Sequence, residues 1–473
     1  MIALVQSGAS TSGEREGESG REPRKAPLST GGCSTRILAG PAGRRTMTVV
    51  DVRPVRFAAL RHRNFALLWA GVIVSNVGTW MQNVTQSWLV LQLTDSPLWL
   101  GLLGLSFAIP MITLPLVGGA VVDRVHRVRL LCLTQTGQMV LAFGLAILTW
   151  LELIAVWQIL LASFLSATLL AFDNPARQAL VYDLVPQEDL LNALSLNAAT
   201  YTGAALVGPA LAGLLLVPLG PAALFFLNGV SFLAVLFALA AMRGVRSRGS
   251  AAPGSLGQAM RAGLSYVWKT RYVLGLLGLS AMTAIFGRSY QSLLPIFARD
   301  IWSAGAAGYG LLLSAAGAGA LAGALGLAAF GRGRLQGRLM VLAGLAFSGL
   351  LILFALSPAF LAGFLLLFAA GMMATVFTTL ISTQLQLTSP NDLRGRVMSM
   401  YAITLIGLPS LGALAIGALA EELGGLQGAP EAVLIGGVLM GLAVLAAAPG
   451  LLRRDRAAHR ASHPAGDPGG DRA

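Results

Sequence analysis

Charge is scarce in this chain. Aspartate, glutamate, lysine and arginine make up only 11% of its 473 residues, less than half the roughly 25% carried by soluble domains, which excludes an ordinary soluble globular protein. Lysine is nearly missing: Lys25 and Lys269 are the two present, and the net charge of +13 rests on arginine. The two cysteines, Cys33 in a polar tail and Cys132 at the end of an apolar run, exclude a disulfide framework and give no metal-ligand spacing. None of the four histidines lies well inside an apolar run, and no Ser/His/Asp set stands out. No Gly-x-x-x-x-Gly-Lys-Ser/Thr loop is present, which excludes ATP hydrolysis by that route. Enzymatic chemistry, a cofactor and a metal site are therefore not expected. Nucleic acid is not expected either, because the arginines sit in short loops between apolar runs and form no continuous patch.

Long apolar runs are what the chain has in abundance. It is 55% hydrophobic. Runs of about 20 residues, enough to cross ~30 Å of hydrocarbon as helix, lie near 65–91, 98–121, 130–151, 155–175, 192–217 and 221–242. A second set lies near 273–297, 306–330, 339–356, 359–384, 397–420 and 431–452. The pattern predicts an all-α integral membrane protein with twelve transmembrane helices in two six-helix bundles, 47–242 and 273–452. Residues 1–46, rich in Gly, Ser, Arg and Glu without apolar periodicity, read as a disordered extension and not as a signal peptide. Met47 opens Met-Thr-Val-Val-Asp and reads as the more natural start; a genuine disordered tail is the alternative. The linker 243–272 contains Ser255–Tyr272, with Leu256, Met260, Leu264 and Val267 at helical spacing, which predicts an amphipathic helix on the membrane surface. A polar tail, 453–473, closes the chain.

Arginine sets the expected orientation. With both termini in the cytoplasm, the internal segments hold Arg53, Arg56, Arg61, Arg63, the Arg124–Arg129 cluster, Arg177, six basic linker residues, Arg332, Arg334, Arg338, Arg394, Arg396 and the tail arginines. The external loops hold a single basic residue, Arg299, among Asp95, Glu152, Asp300, Glu421, Glu422 and Glu431. Positive charge inside is the rule for multi-pass proteins of a cell membrane. Trp99, Trp150, Trp157 and Trp302 fall where an external aromatic belt is expected.

The two halves repeat. At an offset of 204, Gly203, Gly208 and Gly213 meet Gly407, Gly412 and Gly417, while Ser195 and Thr200 meet Ser399 and Thr404. Such a repeat predicts two parallel halves around a central path. Intramembrane polar residues are costly and usually face a cavity. Asn76, Thr79, Asn83 and Gln86 share one face of the first span; Arg288 and Gln291 lie one turn apart in the seventh; Thr375, Thr379, Ser382 and Gln386 share a face of the tenth. For the hydroxyl and amide residues, hydrogen bonding between helices is the competing reading. A cation inside a span needs a partner, and no acid lies centrally in any span, so Arg288 either meets an anionic substrate group or snorkels outward. Asp173 and Arg177 stand at i and i+4, a local ion pair or half of an interdomain latch.

One loop carries a family resemblance. Gly118-Gly-Ala-Val-Val-Asp-Arg-Val-His-Arg-Val-Arg129 resembles the major facilitator signature Gly-x-x-x-Asp-Arg-x-Gly-Arg-Arg at Gly119, Asp123, Arg124 and Arg127; His126 and Val128 depart from it, and Arg129 follows. Asp123 with Arg124, Arg127 and Arg129 reads as a gating loop that holds the internal face closed through ion pairs and helix-end contacts. Gly203, Gly208, Pro209 and Gly213 loosely match the antiporter motif of facilitator exporters, with plain close packing as the competing reading. Asp173-Asn-Pro-Ala-Arg-Gln178, Asn192-Ala-Leu-Ser-Leu-Asn197, Gly208-Pro-Ala-Leu-Ala-Gly213 and Leu293-Leu-Pro-Ile-Phe-Ala-Arg-Asp300 are similar to the enterobactin-exporter-like transporters, also called transmembrane secretion effectors. Ala204 and Ala205 stand where many relatives carry an arginine.

The resemblance implies the facilitator fold. It also implies a monomeric secondary transporter that exports small organic molecules, drug-like or siderophore-like, in exchange for protons. The alternatives are uptake on the same fold and a non-transporting sensor or scaffold. The expected partners are a small-molecule substrate, protons and the lipid bilayer.

Overall fold

The structure, a computed structural model, describes residues 57–114, 121–122, 124–244, 265–330, 336–391 and 393–462, with the pairs 35–36 and 49–50. The chain divides into two compact units, Met1–Arg56 and Phe57–Ala473. In the first, Thr35–Arg36 pairs antiparallel with Val49–Val50. The second is helical throughout its described residues.

After a short turn at Ala58–Arg61, α1 is Arg63–Thr94, α2 Pro97–Thr113, α3 Arg127–Trp150 and α4 Val156–Leu184. Leu190–Ala241 breaks at Gly220, whose φ of 76° lies outside the helical region and which stands between Pro218 and Pro221. It is therefore two arms, α5 (190–219) and α6 (221–241). Then come α7 Arg271–Ile301, α8 Gly305–Phe330, α9 Gln336–Ala355, α10 Phe360–Thr388, α11 Arg394–Glu422 and α12 Ala429–Ser462. Ten of the described helices are long and apolar enough to cross a membrane. Taking Leu190–Ala241 as two arms and adding the shorter Pro97–Thr113 gives the twelve segments expected.

Some expectations change or fall outside the described residues. The stretch beyond Thr113 that was to complete the second span, 115–120, lies outside them, as do Gly119 and Asp123. Of the linker helix, residues 265–269 are helical; Arg271 and Tyr272 already belong to α7, so that helix ends earlier than Tyr272. Trp150 and Trp157 are exposed as a belt requires, but Trp302 is not a belt residue. It turns inward, stacks edge-on to Phe354 and Phe360, and donates its indole N–H to the Ser357 carbonyl at 3.2 Å. An indole whose polar edge finds a carbonyl inside the protein has no need of the interface.

Helices in lipid gain little from apolar burial, so close approach at small residues does much of the packing. The sequence repeat becomes visible here. In α5, a Cβ at Gly208 would lie 2.5 Å from Trp80 Cβ on α1. Its counterpart Gly412 in α11 packs on Ser289 and Ile285 of α7. A Cβ at Gly213 would lie 3.0 Å from Gly310 Cα on α8, and one at Gly417 2.6 Å from the Pro97 carbonyl of α2. So α5 and α11 each grip the first helix of their own half and the second helix of the other. The halves meet along two seams, α5 with α8 and α2 with α11.

Gly417→Val is expected to cost about 1–3 kcal/mol through overpacking and to lower the thermal midpoint of the purified protein. Gly203→Val, where nothing lies within 4 Å, is the matched control. Equal midpoints for the two variants would refute the seam at Gly417.

Candidate functional site

The α7 helix is interrupted in mid-course. Thr283–Gly287 winds as a π-turn, and regular helix resumes only at Tyr290. Such π-turns locally widen a helix and recur at functional sites. Arg288 sits in this break. Its side chain lines a cavity of about 270 Å³ between the halves, with Gln291 and Tyr290 beside it. Trp80 of α1, Tyr201 of α5, Phe347 of α9 and Thr375 of α10 complete the wall around it. Trp80 and Tyr201 meet edge to face, with ring centroids 6.3 Å apart. Arg127, Arg177 and Arg299 each have an acid partner. The Arg288 guanidinium has no hydrogen bond or ion pair among the described residues. It faces the path between the halves and does not snorkel away from it.

A second cavity of about 190 Å³ lies toward α2, α4 and α11 and takes Asn83 and Gln86 from the polar face of α1. The expected path residues therefore divide. Arg288, Gln291 and Thr375 line one cavity, Asn83 and Gln86 the other. Asn76 is half-buried and lines neither. Thr379 is exposed, and Ser382 Oγ accepts from Gln386 Nε2 at 3.2 Å within α10. The aromatic walls were not singled out in the sequence; Trp80 stands one turn from both Asn76 and Asn83, which is the signal that marks it.

The ends of the bundle differ. Call the end where α1 meets α2 the Asp95 end, and the end where α3 begins the Arg127 end. At the Asp95 end the halves are tied together. Arg299 of α7 donates to Asp95 Oδ1 at 2.6 Å and to the Leu91 carbonyl at 3.2 Å, while its Nε holds Asp300. Glu421 of α11 accepts from Ser96 Oγ at 2.7 Å and from the Leu98 N–H at 3.4 Å. Deeper in the bundle, Ser314 Oγ of α8 donates to the Leu206 carbonyl of α5 at 2.8 Å. Beyond that point Gly203 has nothing within 4 Å and Tyr201 is 63% exposed, while α5 stays packed on its own half, where Ala193 and Thr200 are buried and the Leu196 carbonyl accepts from Trp69 Nε1 at 3.2 Å.

At the Arg127 end, three ion pairs among the described residues lie inside the first half. Arg127 is buried and pairs with Asp183 at the end of α4, also reaching the Ala179 carbonyl at 3.4 Å. Arg124 and Arg129 are exposed. His62 Nε2 lies 2.8 Å from Asp189 Oδ2. Asp173 is fully buried and pairs with Arg177; it also accepts from Thr134 Oγ1 at 2.9 Å and Gln135 Nε2 at 2.8 Å on α3. Of the two readings of Asp173 and Arg177, this geometry has the local pair. Among the described residues, the ion pair that bridges the halves is at the opposite end, between Asp95 and Arg299.

Stranding a buried charge by removing its partner costs about 3–5 kcal/mol. Asp173→Ala, which leaves Arg177 without its carboxylate, is therefore expected to lower the thermal midpoint strongly. Asp173→Asn should do so less, because its amide oxygen keeps an acceptor for Thr134 and Gln135. An Asp173→Ala midpoint equal to wild type would remove this cluster from the stability of the first half.

Two sets of apolar helices enclosing a polar, cationic path, bound together at one end, define a membrane transporter of the major facilitator type. Solved structures share this fold. A bacterial homolog of the human lysosomal transporter Spinster, inward-facing and unoccupied, aligns with a TM-score of 0.65 and 16% identity over 84% of this chain and 97% of its own. The nucleoside transporter NupG aligns with a TM-score of 0.66 and 15% identity over 82% and 99%. The family model described as transmembrane secretion effector matches residues 55–467, and the chain belongs to that family. Among relatives, it is 27% identical to the uncharacterized MFS-type transporter YfiS of Bacillus subtilis, over 76% of this chain and 87% of that protein. It is 26% identical to the staphyloferrin A transporter of Staphylococcus aureus, over 34% of this chain and 42% of that one.

Proposed function

We propose that the protein exports a small organic molecule bearing an anionic group, in exchange for protons, by alternating access across the cell membrane. The observation that carries this reading is Arg288. A guanidinium inside a span is costly, and this one lines the path between the halves with no ion pair to an acid among the described residues. Its partner in the working cycle is then the cargo. The aromatic wall of Trp80 and Tyr201 suits a flat apolar portion of the same molecule. Export and proton exchange rest on the family resemblance and on the siderophore transporter among the relatives.

The Asp95 end faces outward in this reading, and both termini are cytoplasmic. The arginine asymmetry supports that orientation. The structure is then read as the inward-facing state: Arg299 and Glu421 hold the outer end closed, and α5 is open below Leu206 at Gly203, while Gly407 of α11 still packs on Ile112 of α2. The loop of Gly119, Asp123, Arg124, Arg127 and Arg129 acts in the opposite state, closing the inner end. The protein works as a monomer, each chain holding a complete path.

Two measurements test this. Cells with the protein should accumulate less of a labelled exported compound than cells without it; higher accumulation would mean uptake, and no difference across a broad panel would mean a non-transporting role. Topology is read separately. A cysteine at Ser96 should react with an impermeant thiol reagent in intact cells, and one at Ser247 only after lysis; the reverse would overturn the orientation.

A further inference from the structure

We propose that the smaller cavity is a second binding subsite, one that takes the uncharged, amide-bearing part of the molecule whose anionic group sits at Arg288. This rests on the transporter reading above. The smaller cavity contains no charge. Its polar lining is contributed by Asn83 and Gln86 of α1, Ser163 of α4, Ser292 of α7 and Ser410 of α11, with Ser87 at its edge. Gln86 is 4% exposed, and its amide nitrogen has no hydrogen-bond partner. The side chains of Asn83, Ser163 and Ser410 have no hydrogen bond among the described residues either. That is unlike their surroundings. Along the same helix Thr79, Thr85, Ser87 and Thr94 each donate to the carbonyl four residues back, which is how a hydroxyl in a span normally satisfies itself.

Buried polar groups are almost always paired, and an orphaned one is costly. Gln86 of α1 and Ser163 of α4 are buried groups of this kind, and Asn83 of α1 and Ser410 of α11 are unpaired but more open. Ser292 of α7 donates to the Ser289 carbonyl at 2.7 Å. Three helices thus present unpaired donors and acceptors to one cavity. Amide and hydroxyl side chains both give and accept hydrogen bonds, so the fitting ligand group does the same while carrying no charge. A carboxamide does this with one oxygen and one N–H.

The two cavities are also within reach of one molecule. On α1, Trp80 lines the larger and Asn83 the smaller, one turn or ~5 Å apart. On α7, Gln291 lines the larger and its neighbour Ser292 the smaller. The larger cavity extends toward α5 and α8, the smaller toward α2 and α11. A ligand with an aromatic ring, a carboxylate and amides between them places each group against its match.

N-benzoylglycylglycine carries those groups, and phenylheptanoate has the same ring, carboxylate and chain length without the amides. Binding of each to the purified full-length protein in nanodiscs is measured by titration calorimetry. Gln86→Met and Ser163→Ala should each weaken N-benzoylglycylglycine about tenfold, the worth of one well-made hydrogen bond, and leave phenylheptanoate within about twofold. Arg288→Gln should weaken both. Equal loss of both probes in Gln86→Met and Ser163→Ala would mean a packing role, and no loss of either would mean a cavity that holds water only; each result overturns the proposal. So does wild-type protein that binds neither probe. The transporter reading has its own readout: protein that lowers accumulation in cells yet shows no amide-dependent binding refutes the subsite alone.

Discussion

Arg288→Gln should reach the membrane at least as well as the wild type and transport almost nothing. Arginine inside a span costs ~2.5–3.5 kcal/mol on insertion scales, so the variant gains in insertion what it loses in binding. A hydrogen bond to a charged group contributes about 1.5–3 kcal/mol, which sets the expected loss of affinity for an anionic cargo at roughly ten- to a hundredfold. Arg288→Lys separates charge from shape: partial recovery means that charge suffices, and none means that a two-pronged guanidinium contact is required. The check is an efflux assay at matched membrane abundance. Wild-type efflux by Arg288→Gln would remove this residue from the mechanism, and with it the argument for an anionic cargo.

The second large effect lies at the Asp95 end. The pair of Arg299 with Asp95 is partly open to water, with Asp95 68% exposed, so screening limits it to about 0.5–1 kcal/mol. Arg299→Gln alone should then raise the population open at that end only about two- to fivefold. Glu421→Gln acts on a separate pair of hydrogen bonds, to Ser96 and Leu98. Together the two changes should open that end by about tenfold or more. The readout is the labelling rate of a cysteine at Ser87, at the edge of the smaller cavity, in a background lacking Cys33 and Cys132, with impermeant reagent supplied from the Asp95 side. An unchanged rate in the double variant would mean that these contacts do not hold the end closed.

Much of this architecture could be read from the chain because its causes are local. An apolar run of membrane length, a proline or glycine at its end and a glycine every five residues are written in consecutive positions, and α1–α12 and the mirrored contacts of Gly208 and Gly412 follow from them. The site was legible in part. Arg288 and Gln291 announced themselves because charge and amide are rare in a span, and they do share a cavity. Asn83 and Gln86 were marked by the same reasoning but belong to a different cavity. Periodicity says which residues share a face and is silent on what that face meets, so Asn76, Thr379 and Ser382 looked equivalent to their neighbours. Trp80, Tyr201 and Phe347 were invisible for the opposite reason: an aromatic residue facing a path and one facing lipid look alike in sequence. The partners of Arg127 and Arg299 were hidden by distance, since Asp183 and Asp95 meet them only through the packing of separate helices.

The paired glycines of α5 and α11 have a mechanical meaning. Five residues apart on a helix, Gly208 and Gly213 point about 140° away from each other, and so do Gly412 and Gly417. Each of these helices therefore has one smooth flank against its own half and another against the opposite half. Side chains that interlock must unlock before helices can slide, whereas a backbone lying on a backbone has little to unlock. In the alternating-access cycle proposed above, Gly213 and Gly417 are where the halves would turn on each other, and they would work as bearings. Adding bulk there raises friction for opening and closing alike, so such variants should slow the cycle in both directions and leave the affinity for cargo unchanged.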